Sequence, residues 1–237
     1  MSPLFGVTLH GGTTDRGTVF ELTPSSGRKK SWRESVIFTF CNDCGEAPVG
    51  VVSDASGNLF GADGDGIFEL SPSNGSNWTE TILHVACSET NCADGADPKG
   101  APIFDAQGNL YGTMSSGGNV DEAGVIYKLA RVGSAYQYSV LYTFCTNNDC
   151  SDCDNPQAGL VMDQSGNLFG TTFNGGPNSA GCVFEMNQSY RIVHAFGIDD
   201  SGTSPIAGVI LDGSGNLFGA TWSNSLYRNG AVFELKP

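Results

Sequence analysis

A five-fold internal repeat constrains the fold of this chain more than any other feature of its sequence. The tripeptide Leu-Phe-Gly, or Leu-Tyr-Gly in one copy, begins at five leucines: Leu4, Leu59, Leu110, Leu168 and Leu217. Successive copies lie 49 to 58 residues apart. A repeat of this kind is interpreted before any single motif, because it determines the architecture of the whole chain.

Three further markers accompany the tripeptide and predict four strands, A to D, in each repeat. An apolar run with one charged residue follows every copy, at residues 17–22, 66–70, 124–129, 181–186 and 230–235. A run that alternates polar and apolar residues, such as WRESVIFTF, occurs four times, as does a proline-led run that ends in aspartate, such as PVGVVSD. The proline-led run is strand A, the tripeptide lies in strand B, the charged apolar run is strand C and the alternating run is strand D.

The turn between strands A and B carries its own signature, D-x-x-G-N. It begins at Asp54, Asp105, Asp163 and Asp212. The aspartate can cap the turn amides, and the glycine can adopt the positive φ that a tight hairpin requires. No window has the 3.6-residue apolar period of a helix, so we expect almost no helix.

Radial repetition of four-stranded units predicts an all-β β-propeller of four-stranded antiparallel blades. Strands B and C occur five times but strands A and D only four times, which favours five blades with an incomplete or shared blade at the seam. We expect one domain over residues 1–237, with repeat units at about 1–44, 45–92, 93–150, 151–200 and 201–237.

Composition limits the partners of the chain. Asp and Glu number 25 against 11 Lys and Arg, which gives a formal net charge of −14. We expect no binding to nucleic acid, because phosphate neutralisation needs a basic surface. No apolar run approaches the roughly 18 residues of a membrane helix, so we expect no membrane insertion.

Eight cysteines cluster in or beside the predicted loops, and their number favours disulfide bonds. The expected pairs are Cys41–Cys44, Cys87–Cys92, Cys145–Cys150 and Cys153–Cys182. Rings closed over so few residues remove little chain entropy and would act as loop clips. A redox pair at the C-x-x-C of Cys41 and Cys44 and a zinc site stay open as alternatives. Disulfides indicate an oxidising, extracellular compartment.

The combined motif D-x-x-G-N-L-[FY]-G, followed by a Gly-Gly loop and G-x-[VI]-[FY]-[EK]-L, resembles the GloVer tandem repeat of bacterial surface and secreted proteins. The matching stretches are residues 4–22, 59–70, 110–129, 168–186 and 217–235. Two copies depart from the pattern, because residues 61–66 lack the Gly-Gly loop and residues 223–229 replace it. The resemblance implies the repeat fold and an extracellular or cell-surface bacterial location, and it implies no catalytic residues.

Loop variation predicts which end of the repeats carries a site. The A–B and C–D turns are short and similar, whereas the B–C and D–A loops vary, so we expect binding on the B–C/D–A face or in the channel beneath it. The ligand-binding candidates at the bases of these loops are His10, Phe173, Asn174 and Trp222. An aromatic ring there can stack on a sugar, or it can simply pack between blades.

The same face is rich in aspartate, and oxygen-rich loops suit calcium. The candidate ligands are Asp43, Asp63, Asp65, Asp94, Asp152 and Asp200. In the alternative interpretation these side chains cap turns, and the DGDG segment at residues 63–66 lacks the full EF-hand pattern. Calcium is therefore a possible cofactor, and no other cofactor is indicated.

Together these patterns favour a non-catalytic extracellular module that binds a glycan or a surface protein. One alternative is a structural or adhesive protein that self-associates through unpaired seam strands. The other is a polysaccharide-active enzyme that uses carboxylates of the channel. The absence of a G-x-S-x-G motif and the presence of only 3 histidines weigh against a hydrolase triad.

Overall fold

The computed structural model is all-β and describes residues 2–25, 31–41, 47–73, 77–118, 122–147, 149–197, 202–223 and 229–236. The strands of these ranges form five antiparallel sheets, and the described helical structure is one 3₁₀ turn at Thr90–Cys92. The chain divides into two compact units, Met1–Ala86 and Cys87–Pro237. The sparse helix agrees with the sequence pattern.

The first compact unit holds two sheets. Its strands are β1 (Leu4–Thr8), β2 (Thr18–Pro24) and β3 (Trp32–Thr39) in one sheet, and β4 (Gly50–Ser53), β5 (Leu59–Asp63), β6 (Gly66–Pro72) and β7 (Trp78–Val85) in the other. The two sheets share a core of buried side chains: Val19, Phe40, Leu59, Phe68 and Leu70.

The second compact unit holds three sheets. The first contains β8 (Ala96–Pro98), β9 (Ile103–Phe104), β10 (Leu110–Ser116), β11 (Val125–Val132) and β12 (Ala135–Thr143). The next contains β13 (Val161–Met162), β14 (Leu168–Thr172), β15 (Cys182–Met186) and β16 (Tyr190–Ala195), and the last contains β17 (Ile210–Leu211), β18 (Leu217–Thr221) and β19 (Ala231–Leu235). Two apolar clusters, around Phe184 and around Phe196, join neighbouring sheets of this unit.

The predicted strand order A-B-C-D is confirmed in these sheets. The sheet of the second repeat runs β4-β5-β6-β7 and that of the fourth runs β13-β14-β15-β16. Strand A of the third repeat is split into β8 and β9, both of which pair with β10. Within the described residues, the first sheet begins at a strand B and the last sheet ends at a strand C, as the marker count predicted.

The glycine of the Leu-Phe-Gly tripeptide and the aromatic residue of strand C form one packing unit. In the fourth repeat, Gly170 lies directly opposite Phe184. A Cβ atom at Gly170 would lie 2.5 Å from Phe184 Cζ, so the ring needs the space that glycine leaves. The equivalent pairs are Gly6–Phe20, Gly61–Phe68, Gly112–Tyr127 and Gly219–Phe233. This packing explains why the two markers always occur together.

The A–B turns are capped as the sequence predicts. Asp163 Oδ1 accepts hydrogen bonds from the backbone amides of Ser165 and Asn167, each at 2.8 Å, and Asp163 Oδ2 accepts one from Asn167 Nδ2 at 2.7 Å. Gly166 adopts a positive φ of 85°. The turns that begin at Asp54, Asp105 and Asp212 repeat these bonds.

Short backbone contacts tie successive sheets of the second unit together. The amide of Asn155, just before strand A of the fourth repeat, donates to the carbonyl of Ala123 at 2.8 Å, and Ser204 donates to Ala180 at 2.7 Å. The strand A segments of the third and fourth repeats also meet closely, because a Cβ atom at Gly100 would lie 2.5 Å from the amide nitrogen of Gly159. These two segments therefore pack backbone to backbone at this point.

Candidate functional site

We call the end of the repeats that carries the B–C and D–A loops the loop end. Disulfide bonds cross-link the chain there. The structure contains the predicted pairs Cys87–Cys92, Cys145–Cys150 and Cys153–Cys182. The fourth predicted pair includes Cys44, which lies outside the described residues. Two of the three bonds close rings within one D–A loop, and the third joins a D–A loop to strand β15.

Asp152, one of the predicted calcium ligands, forms hydrogen bonds within the loop that the Cys145–Cys150 disulfide closes. Its Oδ2 accepts hydrogen bonds from Thr146 N at 2.9 Å, Thr146 Oγ1 at 2.6 Å and Tyr142 Oη at 2.7 Å. Burial by itself raises the pKa of this carboxyl, but the bonds from Thr146 and Tyr142 outweigh it and lower the pKa below its ordinary value. The carboxylate is therefore ionised and engaged within its own loop.

Asp94 repeats this arrangement one repeat earlier. Its carboxylate accepts bonds from Ser88 N at 2.9 Å, Ser88 Oγ at 2.6 Å and Glu89 N at 3.1 Å. In both loops a tyrosine hydroxyl of the following sheet, Tyr138 or Tyr190, donates to the backbone carbonyl of the aspartate. Both loops share the sequence pattern C-[ST]-x-x-x-C-x-D, at residues 87–94 and 145–152.

Asp63 and Asp65 lie at the short turn between β5 and β6. The Oδ1 atom of Asp63 accepts bonds from the amides of Asp65 and Gly66, both at 2.9 Å, while its buried Oδ2 has no hydrogen-bond partner among the described residues. Burial raises the pKa of Asp63 to about 6. The pKa of Glu80 on β7 is raised to about 7 by burial first and then by the charges of Asp63 and Asp65. Among the described carboxyl groups, Asp63 and Glu80 have the largest pKa shifts.

The calcium hypothesis requires a cluster of oxygen ligands, which the described side chains do not form. Among the residues that the structure describes, no three His, Cys, Asp or Glu side chains lie close enough together to hold a metal ion. Asp43 and Asp200 fall outside the described residues. Calcium binding thus stays a prediction.

The predicted loop aromatics occupy equivalent places in successive repeats. Phe173 follows β14 and its amide donates to the carbonyl of Asn155 at 2.9 Å, whereas Trp222 follows β18 and its amide donates to Ser204 at 3.1 Å. Phe173 is half-buried, and the Trp222 side chain is 67% exposed. Asn174 is exposed and forms a β-bridge with Asp154. His10 is exposed in the loop after β1, in the first compact unit.

The opposite end of the second unit, where the A–B and C–D turns lie, carries two grooves between sheets. We define the Tyr111 groove as the cavity of about 530 Å³ formed by Tyr111, Lys128 and Leu141 of the third repeat and by residues 165–168 and 186–189 of the fourth. The Phe169 groove, of about 250 Å³, is formed between the fourth and fifth repeats, mainly by Phe169, Glu185, Arg191 and Val193 against Leu211, Leu217, Leu235 and Lys236. Neither was predicted from the sequence.

The two grooves are built from the same positions of the repeat. Tyr111 pairs with Lys128 across β10 and β11, and Phe169 pairs with Glu185 across β14 and β15. The tyrosine or phenylalanine is the second residue of the tripeptide marker, and the paired residue is the charged residue of strand C. The next repeat supplies the far wall of each groove through its A–B turn and the end of its strand C. A repeated sequence has thus produced repeated concave surfaces.

The charged residue gives each groove a different character. In the Tyr111 groove, Lys128 Nζ lies 5.3 Å from the centroid of the Tyr111 ring, and the Tyr111 hydroxyl donates to Asp105 Oδ2 at 3.0 Å. Burial is the main cause of a raised pKa at Tyr111, so its hydroxyl stays protonated. In the Phe169 groove, Arg191 forms an ion pair with Glu185.

Sequence comparison identifies the family. The Gloeobacter/Verrucomicrobia repeat matches residues 62–237 of the chain. The chain belongs to this repeat family. The GloVer resemblance seen in the motifs is thereby confirmed, whereas no protein of curated function matches the sequence.

Solved structures at low identity share the fold of this family member. The extracellular domain of the hybrid two-component system BT4673 from B. thetaiotaomicron is similar with a TM-score of 0.56 and 12% identity, over 92% of this chain and 25% of that one. PorZ, a surface component of the type-IX secretion system of Porphyromonas gingivalis, gives 0.56 and 16%, over 96% and 34%. A luciferin-regenerating enzyme gives 0.54 and 15%, over 98% and 76%.

These likenesses concern the fold alone. The chain spans about a quarter to a third of the length of the first two structures. In the part of the chain that the structure describes, no helix is long and apolar enough to cross a membrane.

Proposed function

We propose that this chain is an extracellular, non-catalytic module that binds glycans, and that the Tyr111 and Phe169 grooves are its binding sites. The observation that carries the proposal is the repetition of one groove design at two successive sheet junctions. A binding module built from repeats is expected to show equivalent shallow sites, whereas a catalytic centre is expected once per chain. The two groove walls also belong to different sheets, so each site depends on the repeat packing.

The chemistry of the grooves suits a sugar. Each has one aromatic ring, Tyr111 or Phe169, beside aliphatic side chains that can cover the apolar face of a pyranose. The exposed amide of Gln188 and the hydroxyls of Ser165 and Ser189 line the Tyr111 groove and can bond to sugar hydroxyls. Few polar groups in a shallow, partly apolar site are typical of ligand orientation without catalysis.

An extracellular location is supported by two observations. The three disulfides of the described chain persist in oxidising compartments. Two of the similar structures are described as an extracellular domain and a bacterial surface component. We also propose that the five sheets close into a five-bladed propeller, as the repeat pattern predicts.

The proposal is tested by titration calorimetry with a panel of oligosaccharides taken from positive spots of a glycan array. We expect two sites per chain, and expect that Gln188→Trp, which fills the Tyr111 groove from an exposed position, removes one of them. Phe169→Ala should remove the other. Trp222→Ala is the matched control, because Trp222 is an exposed aromatic residue at the loop end.

Two outcomes would reject this placement. If Trp222→Ala or Phe173→Ala abolished binding while the groove variants bound normally, the ligand would lie at the loop end that the sequence predicted. If no glycan bound to the wild-type protein, the proposed function itself would fail.

Self-assembly is the second candidate function, and one observation favours it. In the described residues, β19 pairs with β18 on one side and with no strand on its other side, where strand C of every other repeat meets a strand D. Val232 on this strand is 83% exposed. A free strand edge can accept a strand from a neighbouring molecule. Light scattering over a concentration series tests this, since a constant mass near 24.8 kDa would exclude assembly.

A further inference from the structure

The Tyr111 groove lacks acidic side chains in a strongly acidic protein. Its lining consists of Tyr111, Lys128, Leu141 and residues 165–168 and 186–189, among which there is no Asp or Glu. The chain as a whole has 25 acidic residues. The Phe169 groove differs, because Asp163 and Glu185 both line it. A ligand in the Tyr111 groove therefore contacts one cationic side chain, Lys128, and no acidic side chain of the groove lining.

Among the described basic residues of the second compact unit, Lys128 and Arg131 have no carboxylate at ion-pair distance, and of these two only Lys128 lines a groove. Three of the described ones are paired with carboxylates: Lys99 with Asp97 at 2.7 Å, Arg191 with Glu185, and Lys236 with Glu234 at 3.6 Å. Within the described chain, Lys128 has no carboxylate at ion-pair distance. Its ammonium group keeps its capacity to bind an anion.

The position of Lys128 is fixed before any ligand arrives. Its side chain is half-buried and its Nζ lies over the Tyr111 ring, 5.3 Å from the centroid. The ring is itself held by the bond from its hydroxyl to Asp105. Asp105 uses its carboxylate for the A–B turn as well, since its Oδ1 accepts from the amides of Gln107 and Asn109, both at 2.9 Å. A preorganised cation binds an anion with less loss of side-chain entropy.

We propose that the Tyr111 groove binds an acidic sugar, a hexuronic acid unit of a polysaccharide, whose carboxylate contacts Lys128. This inference rests on the proposed function and names the ligand class of one of its two sites. The ring of the sugar packs on the apolar side of the groove, and its hydroxyls bond to the amide of Gln188 and to the hydroxyls of Ser165 and Ser189. The Phe169 groove, whose arginine is already paired with Glu185, takes neutral sugars.

The test compares tetragalacturonic acid with its full methyl ester in titration calorimetry. The ester keeps the sugar rings and removes the negative charges, so it isolates the contribution of the carboxylate. We expect the wild-type protein to bind the acid at least five-fold more tightly than the ester. We expect Lys128→Gln, a substitution at a half-buried but solvent-reachable position, to bind both with equal affinity.

Lys99→Gln is the matched control, because Lys99 lines neither groove and already has a carboxylate partner, Asp97 at 2.7 Å. It should keep the five-fold preference. Thermal melting of all three proteins checks that the substitutions leave the fold intact.

The outcomes separate the inference from the function on which it rests. Equal affinity of the wild-type protein for acid and ester, or a preference that survives Lys128→Gln, would overturn the inference and leave glycan binding in place. Equal affinity for a sulfated galacto-oligosaccharide would overturn the assignment to a carboxylate. If neither acid, ester nor any neutral oligosaccharide of the panel bound, the proposed function would fail as well.

Discussion

Replacement of Tyr127 by phenylalanine should stabilise the protein, which is the opposite of what most core substitutions do. The Tyr127 side chain is fully buried, at 0% exposure, and its hydroxyl has no hydrogen-bond partner in the described structure. The other four repeats have phenylalanine at the same register position: Phe20, Phe68, Phe184 and Phe233. The third repeat therefore buries a polar atom that its sister repeats lack.

The magnitude follows from the cost of an unsatisfied buried group. A buried hydroxyl without a partner costs about 1–3 kcal/mol relative to its state in water, and Tyr127→Phe removes this cost while the ring keeps its contacts. For a chain of this size, each kcal/mol shifts the melting temperature by about 2–4 °C. We therefore expect a rise of a few degrees and a higher urea midpoint.

Tyr138 supplies the matched control because its ring stacks on that of Tyr127, with the centroids 5.7 Å apart. Its hydroxyl, unlike that of Tyr127, donates to the carbonyl of Asp94. Tyr138→Phe should therefore destabilise the protein by about 1 kcal/mol. Urea denaturation followed by circular dichroism gives both values under identical conditions.

The reasoning would be refuted if Tyr127→Phe lowered stability as much as Tyr138→Phe does. Such a result would mean that the Tyr127 hydroxyl is satisfied in solution, for instance by a buried water molecule. Equal and opposite changes in the two variants would confirm that the difference lies in the hydrogen bond alone.

Three further predictions concern the repeat scaffold. Gly170→Ala should destabilise the protein by about 1–3 kcal/mol in urea denaturation, because the new methyl group would lie 2.5 Å from Phe184 Cζ. Burial raises the pKa of Asp63 to about 6, so its folded form holds a proton more tightly than the unfolded chain. Stability should consequently fall as the pH rises from about 4 to about 6, and Asp63→Asn should flatten that part of a melting-temperature profile. Asp152→Ala should lower stability by about 2 kcal/mol because it leaves the donors of Thr146 and Tyr142 without their acceptor; an unchanged urea midpoint would contradict this.

The features that the sequence predicted correctly are local ones. The A–B turn needs only the five residues from Asp163 to Asn167 to form its capping bonds, so its signature is contiguous in the chain. The disulfide of Cys145 and Cys150 spans five residues and is equally local. The strand order followed because each marker repeats in the same sequence, and antiparallel neighbours need only short turns.

The features that the sequence did not reveal depend on how one sheet lies against the next. The Tyr111 groove joins Tyr111 of one repeat to residues 165–168 of the next, at least 54 positions away in the chain, and no motif encodes their distance. The calcium prediction for the loop aspartates likewise depends on contacts that the sequence alone does not show. An oxygen-rich loop looks like a cation site in the sequence, yet both oxygens of Asp94 and the Oδ2 atom of Asp152 accept hydrogen bonds from donors in or beside their own loops.

The salt dependence of acidic-sugar binding should not be monotonic, and this follows from where the charges lie. The carboxylate of Asp97 accepts a hydrogen bond from Ser115, near the end of β10 that is far from Tyr111, and the seven residues of this strand span about 20 Å. The Debye length is about 30 Å at 0.01 M salt, about 8 Å at 0.15 M and about 3 Å at 1 M. At the lowest concentration the net charge of −14 repels the ligand; at the highest, the contact with Lys128 is itself screened. The affinity for tetragalacturonic acid should therefore peak near 0.15 M, whereas the methyl ester should bind equally at all three. If the affinity for tetragalacturonic acid instead fell steadily with added salt, the attraction to Lys128 would outweigh the repulsion by the net charge at all three salt concentrations.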